Sequence, residues 1–191
     1  MKTRDIDIRS QLNTNLLDEH RSDPHTLVIH ELGLCQGDAR VDVAVINGSI
    51  HGYEIKSESD TLERLPGQVE VYSKVLDSVT VITGECHCKN VLKLVPEWWG
   101  IELTEVINDN AINFITLRQS FDNPSVDPYS LVQLLWRDEA LDLLKKFGLE
   151  KGFLSKPRNQ IWEKLAGSFS IFDLKYYIRE QLKNRKNWRV D

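Results

Sequence analysis

Two strand-like runs carry charges that a purely structural sheet would not tolerate cheaply. They are Asp42 in VDVAVI and Glu54-x-Lys56 in HGYEIK, separated by Asn47-Gly48. Asn-Gly between β-branched runs is a strong hairpin signal, and side chains alternate faces along a strand. Glu54 and Lys56 are therefore expected on one side, with Tyr53 and Ile55 on the other. An antiparallel fold-back sets Asp42 near the level of Tyr53 and Glu54. The same alternation predicts Val41, Val43 and Val45 on one face and Asp42, Ala44 and Ile46 on the opposite one. Two carboxylates then converge beside one ammonium. That donor set suits Mg²⁺ (or Mn²⁺), which takes one or two carboxylates and keeps positions for water and a substrate phosphate. A lysine beside it can orient the attacking water or offset charge developing on phosphorus. The chemistry implied is metal-dependent phosphodiester hydrolysis. The competing reading is a plain Glu54–Lys56 ion pair on an exposed strand, worth ~0–1 kcal/mol.

These residues need a sheet and helices to hold them. Apolar spacing predicts a first helix over Arg4–Arg21, on Ile6, Ile8, Leu12, Leu16 and Leu17. Strands are expected at 26–34, 39–46 and 49–56. A helix is expected over 61–76, broken or started late by Pro66-Gly67, then a buried strand at 79–83, a helix at 89–99 and a strand pair at 101–106 and 111–117. Residues 122–128, DNPSVDP, read as a linker because two prolines among small polar residues continue neither kind of element. Everything beyond reads as helical. The expected class is α/β, a mixed central sheet flanked by helices, followed by a small helical domain. The division is 1–121 for the sheet domain, 122–128 for the linker and 129–191 for the helical domain.

Composition narrows the classes. The chain has 191 residues, 41% of them hydrophobic, enough for a core. Its apolar runs fall far short of the ~20 residues a membrane-crossing helix needs, and its first residues lack the apolar stretch of a signal peptide. A cytoplasmic protein with no membrane partner is expected. Cys35, Cys86 and Cys88 make an odd count. Glu85-Cys86-His87-Cys88 reads as an exposed loop in preference to a soft-metal site. The formal net charge is −5, yet residues 175–191 carry six Lys or Arg against two acids. Lys183, Arg185 and Lys186 are the expected phosphate contacts, if the helices present them on one side. Against that stands a helical cap with a merely solvated basic tail. His30 and His51 flank the motif as strand histidines, and Trp98-Trp99 reads as packing before base stacking.

The run R-V-D-x-A-V-I from Arg40, followed by GYEIKSESDTLERLPGQ from Gly52 and VYSKVLD from Val71, resembles the PD-(D/E)XK nuclease superfamily. Within it the chain is similar to the sce7726 family. Val41 stands where the superfamily's name has proline. The resemblance implies a restriction-endonuclease-like core, with Asp42 and Glu54 as metal ligands, the Ile55 carbonyl as a further ligand and Lys56 as the catalytic lysine. Glu31 matches an upstream acid of the metal site, and Gln68 a helix position that touches the lysine, the scissile phosphate or the metal's water. The expected activity is nuclease, acting on nucleic acid and on DNA first. The alternatives are a catalytically silent nucleic-acid-binding or regulatory module, or a nuclease subunit active only within a larger repair, mobile-element or phage-defence assembly. A homodimer or a partner protein is compatible with each.

Overall fold

Charge patterning aside, the apolar positions of residues 27–118 dictate one sheet. The protein's structure, a computed structural model, describes residues 5–20, 23–108, 111–186 and 188. Arg4 and Arg21, the expected ends of the first helix, and Arg189 of the basic tail lie outside them. The strands are β1 (Leu27–Leu34), β2 (Ala39–Ile46), β3 (Ile50–Lys56), β4 (Ser78–Thr83), β5 (Gly100–Asn108) and β6 (Ala111–Arg118). They pair in sequence order, β1-β2-β3-β4-β5-β6. β1, β2 and β3 form an antiparallel meander. β3, β4 and β5 run parallel, and β6 turns back antiparallel. Parallel neighbours need crossovers, supplied by α2 (Leu65–Val75) and α3 (Glu85–Leu94).

Helices cover both faces. On one lies α1 (Asp5–His20), whose Ile8, Leu12 and Leu16 pack with Val43, Val45, Ile55 and Ile82. On the other lie α2, α3 and the C-terminal helices α4 (Pro128–Val132), α5 (Arg137–Lys146), α6 (Arg158–Ala166) and α7 (Ile171–Asn184). Their Leu131, Leu144, Trp162, Leu174 and Ile178 join one buried cluster with Leu34, Val41, Tyr72 and Val79 of the sheet side. Each such side chain contributes ~1.5–3 kcal/mol over its exposed state. Residues 122–128, expected as a linker, are pinned to the end of α2. The Asn123 side-chain amide donates to the carbonyls of Ser73 and Leu76, both at 2.8 Å, and the Asp127 amide donates to the Lys74 carbonyl at 2.9 Å.

Three local expectations are corrected. The third helix starts at Glu85 and ends at Leu94, so Cys86 and Cys88 sit in a helical first turn, not in a loop. Neighbours one or two apart on a helix do not face each other, which leaves these thiols no shared ligand. The β2–β3 connection takes three residues, 47–49, so β3 starts at Ile50. There the Asn47 side chain accepts from the Ser49 amide at 3.3 Å. Finally, Val41 does not share a face with Val43 and Val45; it packs with Ala44 and Ile46. β1 shows the same break, with Ile29 before it and Leu32 and Leu34 after it all on one face. The β1–β2 register is the same on both sides of the break, so each strand carries one extra residue, Glu31 in β1 and Asp42 in β2. Glu31 is in the left-handed region at φ 55°. A bulge of this kind re-aims a side chain out of the pleat.

His51 of β3 meets β4. Its Nδ1 lies 2.7 Å from Ser78 Oγ, its ring meets Tyr53 edge-on, and burial pushes its pKa down to about 4. An unfolded chain binds that proton from about pH 6.5 downward, so this residue's contribution to stability is full above 6.5 and lost as pH falls towards 4. Urea unfolding of His51→Gln at pH 7 and pH 4.5 should show a stability gap about 1–2 kcal/mol smaller than in the wild type. An identical gap would show that this imidazole is not the acid-sensitive group.

Candidate functional site

The matched bulges, the end of β3 and the start of α2 enclose a cleft of about 890 Å³. Asp42, Glu54, Ile55, Lys56, Gln68 and Glu31 all line it, so the six residues expected at the site are brought together. β3 sets Glu54 and Lys56 on its α2 side, as alternation requires, and Ile55 on its α1 side. α2 begins at Leu65 with Pro66 in its first turn, where proline's missing amide costs nothing. That late start carries Gln68 and Tyr72, one turn apart, over Glu54.

Glu54 is the centre. It is 1% exposed, and its Oε1 accepts from Lys56 Nζ at 2.5 Å and from Gln68 Nε2 at 2.6 Å. Its Oε2 lies 2.6 Å from the Tyr72 hydroxyl, which also lies 2.7 Å from the Arg40 carbonyl. A phenol has one proton for those two acceptors. Burial first and the Asp42 charge second hold the Glu54 carboxyl above the ordinary range, against the pull of Lys56 and Tyr72. Burial and the Glu54 charge likewise push the Tyr72 phenol up. The ion pair that the competing reading placed on an exposed strand is thus buried, with Lys56 3% exposed. The Tyr72 ring is in turn stacked on Trp99, centroids 5.8 Å apart. Trp99 is fully buried, which removes it as a surface for bases.

Asp42 stands across from this cluster. Its Oδ2 accepts the Ile55 amide at 2.7 Å, and its Oδ1 meets an Arg9 guanidinium nitrogen at 2.8 Å. Burial raises its pKa, with the Ile55 amide and Arg9 opposing. Glu31 meets the other terminal nitrogen of Arg9 at 2.7 Å. Sequence reasoning missed Arg9, because nothing local marks one cation on a mostly polar helix; its partners lie 22 and 33 residues away. Tyr72, inside the VYSKVLD run, gains its role from its contact with Glu54.

The donor set fits a divalent ion held mainly by water. Two carboxylates from neighbouring strands meet the demand of Mg²⁺ or Mn²⁺, whereas no group of three His, Cys, Asp or Glu among the described residues is placed to cage a metal. Gln68 adds a sign that the cleft receives something. Its Oε1 is buried without a donor, an unmet acceptor that a water in the cleft would satisfy.

The three residues expected to touch phosphate are not presented together. Arg185 turns inward. It pairs with Glu139, donates to the Leu134 carbonyl at 2.8 Å and lies between the rings of Trp136 and Trp188, at 4.3 and 4.4 Å. Lys183 is 3.5 Å from Glu180, and Lys186 is exposed. Lys175 and Arg179 are also turned inward, to Asp77 at 2.8 and 3.9 Å.

Fold and site together define a mixed α/β protein, a six-stranded mixed sheet with flanking and C-terminal helices, whose acidic cleft holds a buried carboxylate and lysine. The chain belongs to the bacteriophage P4 protein cII family, whose family model matches residues 2–189. It is 25% identical over 158 residues to "Protein cII" of Enterobacteria phage P4, an alignment covering 83% of this chain. The chain spans 59% of the length of that relative. Among solved structures it is similar to the SPO1766 protein of unknown function from Silicibacter pomeroyi. That likeness has a TM-score of 0.42 and 18% identity, covering 78% of this chain and 96% of the other. The family match corrects the resemblance to the sce7726 family. The residues behind that resemblance lie within 40–77. The cII match runs nearly end to end.

If Tyr72 secures the buried carboxylate, Tyr72→Phe should cost about 1–3 kcal/mol, since it leaves Glu54 Oε2 without its partner while keeping the ring stack. Denaturant unfolding measures it, and an unchanged midpoint would remove Tyr72 from that role.

Proposed function

We propose that this chain is a metal-dependent nuclease, hydrolysing phosphodiester bonds in nucleic acid, DNA first, on a restriction-endonuclease-like PD-(D/E)XK core. One observation carries the reading: Asp42, Glu54 and Lys56, from adjacent strands, line one cleft beside the unmet acceptor of Gln68. Asp42 and Glu54, with the Ile55 carbonyl, would hold the ion. A bound Mg²⁺ or Mn²⁺ supplies Lewis-acid charge neutralisation and acidifies water. Lys56 spends one of its three donors on Glu54, so the others serve the phosphate or the attacking water. Gln68 fixes Glu54 through its amide nitrogen and accepts from that water through Oε1. Arg40 and Arg64, both exposed on the cleft lining, are the phosphate contacts this reading assigns, with Lys186 farther out.

A second reading has its own support. Every oxygen of Asp42 and Glu54 already has a protein donor: Arg9 and Ile55 on one side, Lys56, Gln68 and Tyr72 on the other. A site so fully answered by its own chain suits a catalytically silent nucleic-acid-binding or regulatory module.

Incubation with linear, nicked, branched and single-stranded DNA and RNA, with Mg²⁺ or Mn²⁺, separates the two. The nuclease reading expects cleavage that Lys56→Ala lowers by about 10²-fold or more. Calorimetric Mn²⁺ binding should persist in that variant and vanish in Asp42→Ala and Glu54→Ala, with folding checked by circular dichroism. No cleavage of any polymer with either ion sinks the enzyme reading.

A further inference from the structure

Arg9 is the one strong cation that α1 directs into the cleft lining, and its placement is specific. One terminal nitrogen reaches Asp42 Oδ1 at 2.8 Å. The other reaches Glu31 Oε1 at 2.7 Å and the Asp42 carbonyl at 3.1 Å. Its Nε lies 3.3 Å from Asp5 one turn earlier. Burial works against the charge, and Asp42, Asp5 and Glu31 more than offset it. The guanidinium therefore bridges the two residues that the matched bulges push out of β1 and β2. Planar, delocalised and always charged, it is suited to such a bidentate post.

We infer that Arg9 is the resident cation of the cleft and competes with the divalent ion for Asp42, so that the N-terminal helix sets how tightly this protein takes up metal. The inference rests on the proposed metal-dependent reading. Asp42 has two oxygens. One is committed to the Ile55 amide, and the other is the one Arg9 holds, so an ion ligated by Asp42 meets a unit positive charge on the same carboxylate. A charge at that distance changes a carboxylate's affinity for a proton by about 1–3 units; a dication, doubly charged, feels it at least as strongly. The helix is built to survive the exchange. Ile8, Leu12 and Leu16 anchor α1 on the far face of the sheet from α2, while the Arg9 contacts are polar and its side chain is 22% exposed. Metal uptake thus releases the tie from Arg9 and loosens the first turns of α1 while its apolar face stays on the sheet, and leaves its guanidinium free at the mouth of a cleft that would receive phosphate.

Calorimetric titration of the full chain with Mn²⁺ tests this in the wild type, Arg9→Gln and Arg9→Lys. Removing the charge in Arg9→Gln should tighten Mn²⁺ binding about tenfold or more, while Arg9→Lys, which keeps the charge, should stay near the wild type. Equal affinity in all three overturns the competition and leaves the metal reading standing. No Mn²⁺ uptake by any of them overturns both. A measurement without variants guards against misfolding: amide hydrogen exchange of wild-type residues 5–12 should speed up when Mn²⁺ binds. Exchange that stays the same or slows at saturating Mn²⁺ means that Arg9 keeps its carboxylates, and the inference falls.

Discussion

A carboxylate 1% exposed to solvent organises this structure. Taking an ionised carboxylate out of water costs several kcal/mol unless its oxygens are met by well-placed donors. Glu54 has three, and they come from two elements: Lys56 from its own strand, Gln68 and Tyr72 from α2. Tyr72 also ties to the Arg40 carbonyl at the start of β2 and stacks on Trp99 between α3 and β5. One buried charge thereby fixes the spacing of β2, β3 and α2 and borrows rigidity from the core behind it. Networks of this kind are costly when partly satisfied and strongly orienting when complete.

The second constraint is the shared break in β1 and β2. By adding one residue to each strand at the same level, it preserves the register of the seven flanking pairs and throws only Glu31 and Asp42 out of the pleat. Among the described residues, the cleft is lined by eight acids, Asp5, Glu31, Asp38, Asp42, Glu54, Asp60, Glu63 and Glu70, against five cations. A polyanion has little reason to enter it without a further positive charge. This electrostatic demand makes a divalent cation integral to the proposed nuclease, and it is what Arg9 answers from within the chain.

The C-terminal helices bear on the same cleft from behind. Their basic residues act mainly as struts, with Lys175 and Arg179 on Asp77 and Arg185 on Glu139. Asn123 satisfies the open carbonyls at the C-terminal end of α2, so the helix that carries Gln68 and Tyr72 is held at its far end by the segment that looked like a linker. Lys146 lies over the Phe147 and Tyr177 rings while remaining exposed.

The sequence by itself determined the strands, the crossover helices and the convergence of Asp42, Glu54 and Lys56, because these depend on local rules: alternation, helical spacing and turn residues that act over a few positions. It also placed Glu31 and Gln68 at the site, through a resemblance whose family assignment the end-to-end cII match replaced. Tertiary structure alone decided three things. Val41 changed face because a bulge at Glu31 in the neighbouring strand is matched at Asp42, and no pattern within β2 records its partner's φ. Lys183, Arg185 and Lys186 looked alike in composition, yet Arg185 is drawn inward by two tryptophans and a glutamate 46 residues away. Arg9 became part of the site because α1 packs across the sheet and sets its guanidinium between acids from two other elements. Charge pairing over such separations is a product of packing, and packing is not written in any single stretch of the chain.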